Sequence, residues 1–406
     1  MAEPGEGPPG PGEGPTPIDG RYDPAFRPVV DAFAANFADG ELGAACCVTV
    51  DGRTVVDLWG GWADEARTHP WEATTLVNAY SVGKPLIGLR LLQLVAAGAV
   101  DLDTRADRYW PELRAGQRGA TVRHVLSHRA GVPALREPLT NGDLWEWPVM
   151  AAAVAATEPW WEPGTRHAYH TNTFGHLVGE LARRVDGRRP GRWLRDDVAG
   201  PLEAPLVWGL SGLEQARCAE VVWASDGGGR TATPGDTGPD LWDDLDPDMV
   251  RLGYTNPPGY SSLGVVNTPS WRSAEVPSTN LHATAAGVAR LYTALARGSR
   301  LGGIGGLGGV AVLDPAVLAE ATTAQSVGWC PVLQRTVTFG LGFQLTRPDR
   351  PLGPNPGAFG HFGTGGSLGF ADPVAGVGFG YVMNAVRPGW QSTRNRALLD
   401  AVYACL

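Results

Sequence analysis

The amino-acid sequence predicts an α+β fold in which one sheet is built from both ends of the chain, with a large and mostly helical segment inserted between them. Two observations carry this prediction. Strand-like patterns lie towards the two ends of the 406 residues, and helical patterns broken by Gly- and Pro-rich loops fill the middle. With 56 Gly, 34 Pro and 43% hydrophobic residues, the composition is typical of a large globular core with long loops.

The N-terminal region predicts a tail followed by a helix. Residues 1–19 have too few apolar side chains to offset the entropy of ordering, so we expect a disordered tail. The helix begins either at Asp23-Pro24, as cap and first-turn proline, or at Pro28. Both alternatives place the next apolar residues on one helical face.

A hairpin and a buried helix complete the first part of the predicted α/β domain, residues 20–99. The β-prone runs Ala44–Val50 and Thr54–Trp59 flank Asp51-Gly52, which is a strong hairpin signal. Ser81–Val100 has the periodicity of a helix and is apolar on nearly all sides. We therefore expect this helix to be buried.

The mostly helical insert covers residues 100–324, and its polar stretch Ser225–Asp248 is expected on the surface. Residues 325–406 return to strand patterns and complete the sheet. Three strands and one final helix are predicted there: strands at Phe339–Leu345, around Ser367–Phe370 and at Val377–Asn384, and a helix capped by Ser392.

Composition excludes some classes of function. The net charge of −9 removes the attraction to phosphate on which nonspecific nucleic-acid binding depends, so we expect no nucleic-acid partner. The five cysteines form no Cys-x-x-Cys pair, which disfavours a disulfide framework and a thiolate metal site. No apolar run with a basic start opens the sequence, and we therefore expect a cytoplasmic protein without a membrane partner.

Lys84 is the only lysine among the 33 basic residues, and it follows Ser81 by three positions at the start of the predicted buried helix. This Ser-x-x-Lys spacing brings the amine within reach of the hydroxyl. Desolvation lowers the pKa of a lysine and frees its lone pair, whereas an arginine keeps its proton. We interpret Ser81 and Lys84 as a nucleophile and its base, rather than as a chance spacing on a solvated surface.

A second motif, Pro163-Gly164-Thr165-Arg166-His167-Ala168-Tyr169-His170-Thr171, lies in the insert. Together with Ser-x-x-Lys it resembles the serine β-lactamase and penicillin-binding-protein superfamily, in the class C β-lactamase-like branch of esterases and acyltransferases. The resemblance runs from about Gly20 to the C-terminus. It implies a β-lactamase/transpeptidase-like fold with an antiparallel sheet, and it makes Tyr169 a second base. Thr171 stands where the family has the Asn that contacts the amide of a β-lactam, which favours an esterase.

The third motif of that family is Lys-Thr-Gly, or His-x-Gly in the esterase branch, and the segment from Gly360 to Pro373 resembles the esterase version. The histidine of this motif could line the site or be purely structural. The resemblance implies that the substrate is lined by His361, Phe362, Gly363 and Thr171, and that the oxyanion is held by the backbone N–H groups of Ser81 and Thr364.

Other patterns carry less weight. Ser367 lies in a Gly-x-Ser-x-Gly match to the α/β-hydrolases, but the last histidine, His361, precedes it, whereas that fold needs a later one. Gly303–Gly308 matches a dinucleotide fingerprint without a strand before it. His124 and His128 lack a third metal ligand and lie in a run that is structural in the family. We therefore predict no cofactor and no metal.

These observations predict a serine acyl-enzyme catalyst that acts on small-molecule esters, with water as the acceptor of the acyl group. The alternative is an ATP-independent acyltransferase of natural-product biosynthesis, which passes the acyl group to an amine or alcohol. A β-lactamase or D-peptidase is more distant, because those substrates lie outside the cytoplasm. A catalytically silent binding protein on the same fold belongs to another class, and labelling by a serine-directed phosphonate separates it from an enzyme.

Overall fold

The computed structural model describes residues 16–223, 246–298, 300–301, 310–387 and 392–406. These residues form the predicted α+β architecture, in which a large antiparallel sheet is flanked by helices. Three stretches addressed by the sequence analysis lie wholly or mainly outside the described residues: residues 1–15 of the expected tail, residues 225–245 of the expected surface stretch, and Gly303–Gly308.

The strands of the described residues contribute to one large sheet and three small ones. Their bounds are β1 Ile18–Tyr22, β2 Gly43–Val50, β3 Arg53–Gly61, β4 Val77–Asn78, β5 Leu206–Val207, β6 Val222–Trp223, β7 His282–Ala283, β8 Arg300–Leu301, β9 Val310–Ala311, β10 Ser326–Cys330, β11 Arg335–Phe339, β12 Gln344–Leu345, β13 Phe359–Phe362, β14 Leu368–Asp372, β15 Val377–Met383 and β16 Ala385–Val386.

The α-helices of the same residues are concentrated between β4 and β10. Their bounds are α1 Arg27–Ala38, α2 Lys84–Ala96, α3 Arg114–Gln117, α4 Val122–Leu126, α5 Asn141–Leu144, α6 Trp147–Ala156, α7 Thr173–Asp186, α8 Pro190–Trp193, α9 Gly212–Gln215, α10 Pro247–Thr255, α11 Pro269–Ser273, α12 Ala285–Ala296, α13 Pro315–Ala321 and α14 Thr393–Ala404.

The large sheet joins the two ends of the chain, as predicted. Its strand order within the described residues is β1-β3-β2-β15-β14-β13-β12-β11-β10, and every neighbouring pair is antiparallel. The hairpin between β2 and β3 turns at Asp51 and Gly52, which both have positive φ, as the predicted turn requires. Cys46 on β2 pairs with Tyr381 on β15, and this junction connects the N-terminal hairpin to the C-terminal strands.

Helices cover the sheet and bury its apolar side chains. Helix α12 packs on β2, β14 and β15, and α1 packs against α14. The buried side chains of α1 include Val29 and Phe33, and those of α14 include Leu398 and Val402. Ser392 caps α14 with its side chain, as the sequence predicted.

The N-terminal region differs from the prediction in one strand. Ile18 and Asp19, assigned to the tail, lie in β1, which pairs with β3 at the edge of the sheet. The strand escaped the sequence analysis because all of its residues are exposed, so it has no apolar alternation. Both predicted helix openings are used: Asp23 caps the 3₁₀ turn Pro24–Phe26, and Pro28 lies in the first turn of α1.

Two further boundaries shift. The predicted helix Ser81–Val100 divides into a 3₁₀ turn, Tyr80–Gly83, and the helix α2. Helix α2 ends at Ala96, two residues before Gly98, which has a left-handed backbone. The predicted strand Phe339–Leu345 divides between the end of β11 and the short strand β12. Strand β10 was not predicted.

No helix in the described part of the chain is long and apolar enough to cross a membrane. The cytoplasmic location and the domain boundaries at 20–99, 100–324 and 325–406 stay predictions. All five cysteines lie in described segments and are free thiols.

Candidate active site

Ser81 lies in a sharp turn between strand β4 and helix α2. The 3₁₀ turn Tyr80–Gly83 runs directly into α2, so the hydroxyl stands at a helix N-terminus, and Ser81 is only 3% exposed. Tyr80, just before it, has a left-handed backbone with φ of 53°, which is rare for a bulky side chain and costs energy. The fold therefore holds a strained turn at the position of the predicted nucleophile.

Three oxygen atoms surround the amine of Lys84. Its Nζ lies 3.2 Å from the Oγ of Ser81, 2.6 Å from the carbonyl oxygen of Thr171 and 2.9 Å from the carbonyl oxygen of Ser278. A carbonyl oxygen only accepts, so the two carbonyls take two N–H bonds of the amine. In a neutral amine these are the two hydrogens, and the lone pair then faces the Ser81 hydroxyl. This arrangement suits a general base.

Burial favours that neutral amine. Lys84 is 0% exposed, and burial holds its pKa well below the usual range for a lysine. No acidic side chain among the described residues counteracts this effect. A desolvated lysine with its two hydrogens committed to carbonyls is a base whose lone pair is available to Ser81.

Ser278, which the sequence analysis did not identify, orients this amine. Its carbonyl accepts from Lys84, and its hydroxyl donates to the carbonyl oxygen of Asn172 at 2.6 Å and accepts the N–H of Gly175 at 2.5 Å. It thus links the lysine to the start of α7. No local motif marks Ser278, because its role depends on a backbone carbonyl brought close from about 190 positions along the chain.

Tyr169 reaches the same site from the insert. Its phenol makes a hydrogen bond with the Ser81 hydroxyl, and its ring lies 4.7 Å from the Nζ of Lys84. The ring stacks on Phe339 at 5.7 Å between centroids and contacts His128 at 5.0 Å, and the backbone N–H of Tyr169 donates to the sulfur of Cys330. The predicted Ser81, Lys84 and Tyr169 therefore converge.

The phenol of Tyr169 is neutral in the resting site. Burial raises its pKa well above the usual range, and the hydrogen bond to Ser81 offsets this only in part. The tyrosine is then a proton donor, while the lysine beside it is a proton acceptor. The environments of Tyr169 and Lys84 push their pKa values in opposite directions, so the two groups have complementary roles.

His361 lies on β13 beside the phenol. Its Nδ1–H donates to the carbonyl oxygen of Phe362 at 2.6 Å, which leaves Nε2 as an acceptor 3.5 Å from the hydroxyl of Tyr169. Burial and the neighbouring Lys84 lower the pKa of His361 to about 3, so the ring is neutral. Phe362 is buried and contributes this carbonyl.

Gly363 brings the third motif against the turn that carries Ser81. A Cβ at Gly363 would lie 2.4 Å from the carbonyl oxygen of Ala79, two residues before Ser81, so only glycine allows this approach. Thr364 follows at the start of a short 3₁₀ turn. Thr364 is thus the next residue after the one that contacts the turn of Ser81, and its part in an oxyanion hole stays a prediction.

Thr171 and Asn172, next along the chain from Tyr169 and His170, have different partners. The carbonyl of Thr171 binds Lys84, and its buried hydroxyl has no hydrogen-bond partner among the described residues. The side chain of Asn172 instead donates to the carbonyl oxygen of Gly253 and to the hydroxyl of Ser261. Asn172 therefore does not take the place of the family's site asparagine.

The other patterns lie apart from this chemistry. Ser367 is buried, and its carbonyl accepts the N–H of Gly363, so it supports the third motif. His124 completes the capping box of α4 with Thr121. His128 contacts Tyr169 and accepts the backbone N–H of His170 at its Nδ1. Within the ranges that the structure describes, no group of three or more His, Cys, Asp and Glu side chains is arranged to hold a metal ion.

Comparison with known proteins identifies the family. The family model described as Beta-lactamase matches residues 29–404. The chain belongs to this family. The resemblance to the serine β-lactamase and penicillin-binding-protein superfamily is thereby confirmed, and so is the predicted fold class.

Three similar proteins place the chain within that superfamily. It is 33% identical over 379 residues to the esterase/β-lactamase LipL of Mycobacterium tuberculosis, and the aligned residues cover 90% of this chain and 83% of LipL. A family VIII carboxylesterase structure has a TM-score of 0.86 at 36% identity, covering 96% of this chain and all of the other. A penicillin-binding-protein homologue from Caulobacter crescentus has a TM-score of 0.84 at 36% identity with the same coverage.

Proposed function

We propose that this protein is a serine esterase of the class C β-lactamase-like branch that forms an acyl-enzyme on Ser81 with small-molecule esters. The observation that carries the proposal is the Lys84 amine, which is buried, held by two carbonyl oxygens and directed at the Ser81 hydroxyl. The names of LipL and of the family VIII carboxylesterase structure support an esterase.

Acylation begins with Ser81 attacking the ester carbonyl. Its proton passes to the lone pair of Lys84, and the bond from Oγ to the carbonyl carbon forms a tetrahedral oxyanion. We assign the stabilisation of this oxyanion to the backbone N–H groups of Ser81 and Thr364, since Gly363 holds the third motif against the turn that carries Ser81.

Collapse of the tetrahedral intermediate expels the leaving group. Tyr169 donates its phenolic proton to the departing oxygen. The protonated Lys84 then returns a proton to the oxygen of Tyr169 through the hydrogen bonds that join Lys84, Ser81 and Tyr169. The proton of Ser81 thus ends on the alcohol, and Lys84 returns to its neutral form. The neutral His361 lines the site as an acceptor for the phenol and is not itself a proton donor at neutral pH.

Deacylation by water completes the carboxylesterase cycle, with Lys84 and Tyr169 taking the proton of the incoming water.

One observation favours the acyltransferase alternative. Ser81 and Tyr169 are only 3% and 0% exposed, so the acyl-enzyme lies in a site from which bulk water is largely excluded, and a bound amine or alcohol competes well with water there.

The residue at position 171 argues against a β-lactamase or D-peptidase. Thr171 lacks the side-chain amide of the family's motif, and the neighbouring Asn172 turns its amide towards Gly253 and Ser261. An ester has no amide N–H beside the scissile bond to be recognised. The site is therefore better suited to esters than to β-lactams or peptides.

Intact-mass spectrometry tests the proposal. Wild type and Ser81→Ala are exposed briefly to a panel of activated acyl esters, with and without candidate amines, and the products are analysed. We expect an acyl adduct on wild type that Ser81→Ala lacks. Turnover in water alone identifies an esterase, and amide formation that raises turnover identifies an acyltransferase. A phosphonate adduct on Ser367 would overturn the site, and a wild type inert to every ester and phosphonate would support a binding protein.

A further inference from the structure

His128 lies two residues after the end of helix α4 and is buried, with 2% of its surface exposed. Its backbone has a left-handed φ of 63°, a conformation that histidine adopts more often than most residues with a side chain. Both the carbonyl and the imidazole of this one residue bind the segment that carries Tyr169. The contacts of His128 therefore bear on where the phenol stands.

Three consecutive backbone N–H groups around Tyr169 have defined acceptors. The N–H of Ala168 donates to the carbonyl oxygen of His128 at 3.2 Å, and the N–H of His170 donates to Nδ1 of the same histidine at 3.2 Å. The N–H of Tyr169, between them, donates to the sulfur of Cys330 at 3.2 Å. His128 thus binds the backbone on both sides of the tyrosine.

The ring of His128 also packs on the side chain of Tyr169. The centroids of the two rings lie 5.0 Å apart. Phe339, which stacks on Tyr169, lies 4.7 Å from the imidazole, and Phe174 of α7 contacts the imidazole at the same distance. Because His128 contacts both the backbone and the ring of Tyr169, it constrains the direction in which the phenol points.

The hydrogen bond at Nδ1 requires a neutral imidazole that carries its proton on Nε2. A backbone N–H only donates, so Nδ1 must accept, and a protonated ring would turn an N–H against the N–H of His170. Burial, followed by the nearby His170 and Lys84, holds the pKa of His128 well below the usual range. The ring is therefore neutral at neutral pH, and the hydrogen bond is retained.

The residues after His128 support the same stretch of chain. The carbonyl oxygen of Arg129 accepts the N–H of Gly164 at 3.0 Å, and the carbonyl oxygen of Gly131 accepts the N–H of Trp160 at 2.8 Å. Together with the carbonyl of His128, these groups hold the chain along the approach to the tyrosine. The side chain of His128 adds the contact just beyond the tyrosine, which the backbone carbonyls do not make.

We propose that His128 is a positioning residue that holds the phenol of Tyr169 at the Ser81 hydroxyl by binding the backbone on both sides of the tyrosine. This inference rests on the proposed function, in which Tyr169 protonates the leaving group. His128 transfers no proton itself, because its Nδ1 is occupied by the N–H of His170. Without this hold the phenol is displaced, whereas Ser81 and its base keep the geometry of their own turn and helix.

Two esters with the same acyl chain test the inference. The leaving group of 4-nitrophenyl butyrate needs little protonation, and that of the similarly sized 4-methoxyphenyl butyrate needs more. A 4-nitrophenyl phosphonate that labels Ser81 counts the active sites, so that unfolded protein does not enter kcat/KM. We expect His128→Leu, which removes the acceptor at Nδ1, to lower kcat/KM for the methoxyphenyl ester about tenfold more than for the nitrophenyl ester.

His128→Asn is the conservative variant, because its Oδ1 takes the place of Nδ1 and asparagine tolerates a left-handed backbone. It should keep the ratio of the two kcat/KM values within about threefold of wild type. Should His128→Leu give no labelled protein, His128→Gln replaces it, since its amide lies one atom farther from the backbone than Nδ1.

His176→Leu is the matched control. His176 is a buried histidine of α7 whose Nδ1 forms a hydrogen bond with the hydroxyl of Tyr260 and whose ring packs on Trp147. Its loss should lower the thermal midpoint and leave the ratio of the two esters unchanged. The same change of ratio in His176→Leu as in His128→Leu would mean that packing alone moves the ratio, and the inference would be wrong.

A double-mutant cycle shows whether the effect passes through the phenol. In the background of Tyr169→Phe, which lacks the hydroxyl, His128→Leu should change the ratio by less than about twofold. A further tenfold change in that background, an equal loss on both esters, or an Asn variant as selective as the Leu variant would each overturn the inference. If Tyr169→Phe itself keeps the ratio of wild type, the proposed role of Tyr169 is wrong, and if Ser81→Ala hydrolyses both esters like wild type, the proposed function is wrong.

Discussion

Ser81 and Lys84 are buried beside residues of the main apolar core, whereas Tyr169 lies in a second, smaller apolar cluster. Val82, Leu86 and Ile87, which flank or follow the pair, pack into the main core. The cluster around the phenol, here called the tyrosine cluster, comprises Ala134, Trp161, Ala168, Tyr169, Met249, Cys330, Val332, Val337 and Phe339.

The difference lies in how each half of the site is specified. The nucleophile and its base are fixed by a three-residue spacing at the start of one buried helix, so their distance depends on local geometry. The phenol is fixed by segments that lie up to about 200 positions apart in the chain. We therefore expect the first half to tolerate no change of chemistry, and the second half to respond also to changes in packing.

The largest effect is expected from replacing the base by a side chain of similar length that cannot give up its proton. Arg is not deprotonated in proteins, so Lys84→Arg lowers kcat/KM by about 10⁴-fold in steady-state hydrolysis of an activated ester. Arg192→Lys, an exchange between the same two residue types at an exposed position, serves as control and should change nothing. If Lys84→Arg keeps more than a tenth of the activity, the lysine is not the base.

A smaller loss is expected in the tyrosine cluster. Tyr169→Phe keeps the ring that stacks on Phe339 and removes only the hydroxyl, so the thermal midpoint should change little. We expect kcat to fall by about 10²–10³-fold, and less for esters with good leaving groups, because those need less protonation. A uniform loss across leaving groups of different pKa would contradict the role of Tyr169 as proton donor.

The same contrast explains what could be predicted from the sequence. Ser81 and Lys84 were found from residue chemistry alone, since their spacing is local and the chain contains a single lysine. Tyr169 was found only through the resemblance of its motif, because nothing local shows that β10, β11 and α10 pack around it. Ser278 was missed for the same reason: its contribution is a backbone carbonyl, and sequence patterns describe side chains.

For the fold, the amphipathic and buried elements were predictable and the exposed edge was not. The hairpin at Asp51-Gly52, the buried strand β15 and the cap of α14 carry apolar patterns or turn chemistry. Strand β1 has no buried residue, and β11 and β12 are separated at Gly340–Phe343, where an apolar run continues through the break. Pairing with neighbouring strands, and not local propensity, decides these segments.

An intermediate effect is expected where the two halves meet. A methyl group at Gly363 would clash with the carbonyl of Ala79, so Gly363→Ala displaces the backbone that we assign to the oxyanion hole. We expect kcat to fall by about 10²-fold, with a smaller change in KM. Gly357→Ala is the matched control, because a Cβ there meets nothing within 4 Å. Equal kinetics for the two variants would remove Gly363 and Thr364 from the site.

The smallest effect, and the one that tests the neutral lysine directly, is on stability. In the unfolded chain Lys84 has a pKa of about 10.4, whereas burial lowers it in the folded protein. Between these two values the unfolded state binds one more proton, so the stability of wild type rises with pH by up to about 1.4 kcal/mol per pH unit relative to a variant without this group. Below the lowered pKa both states are protonated, and the difference stops changing.

Lys84→Met removes the titration, although it also leaves the carbonyls of Thr171 and Ser278 without their donor. The absolute difference in stability therefore mixes two contributions, and only its slope against pH reports on the lysine. Denaturant unfolding of both proteins between pH 7.5 and pH 9 measures this slope. A flat difference would mean that Lys84 stays protonated in the folded protein, and the base would then have to be sought in the tyrosine cluster.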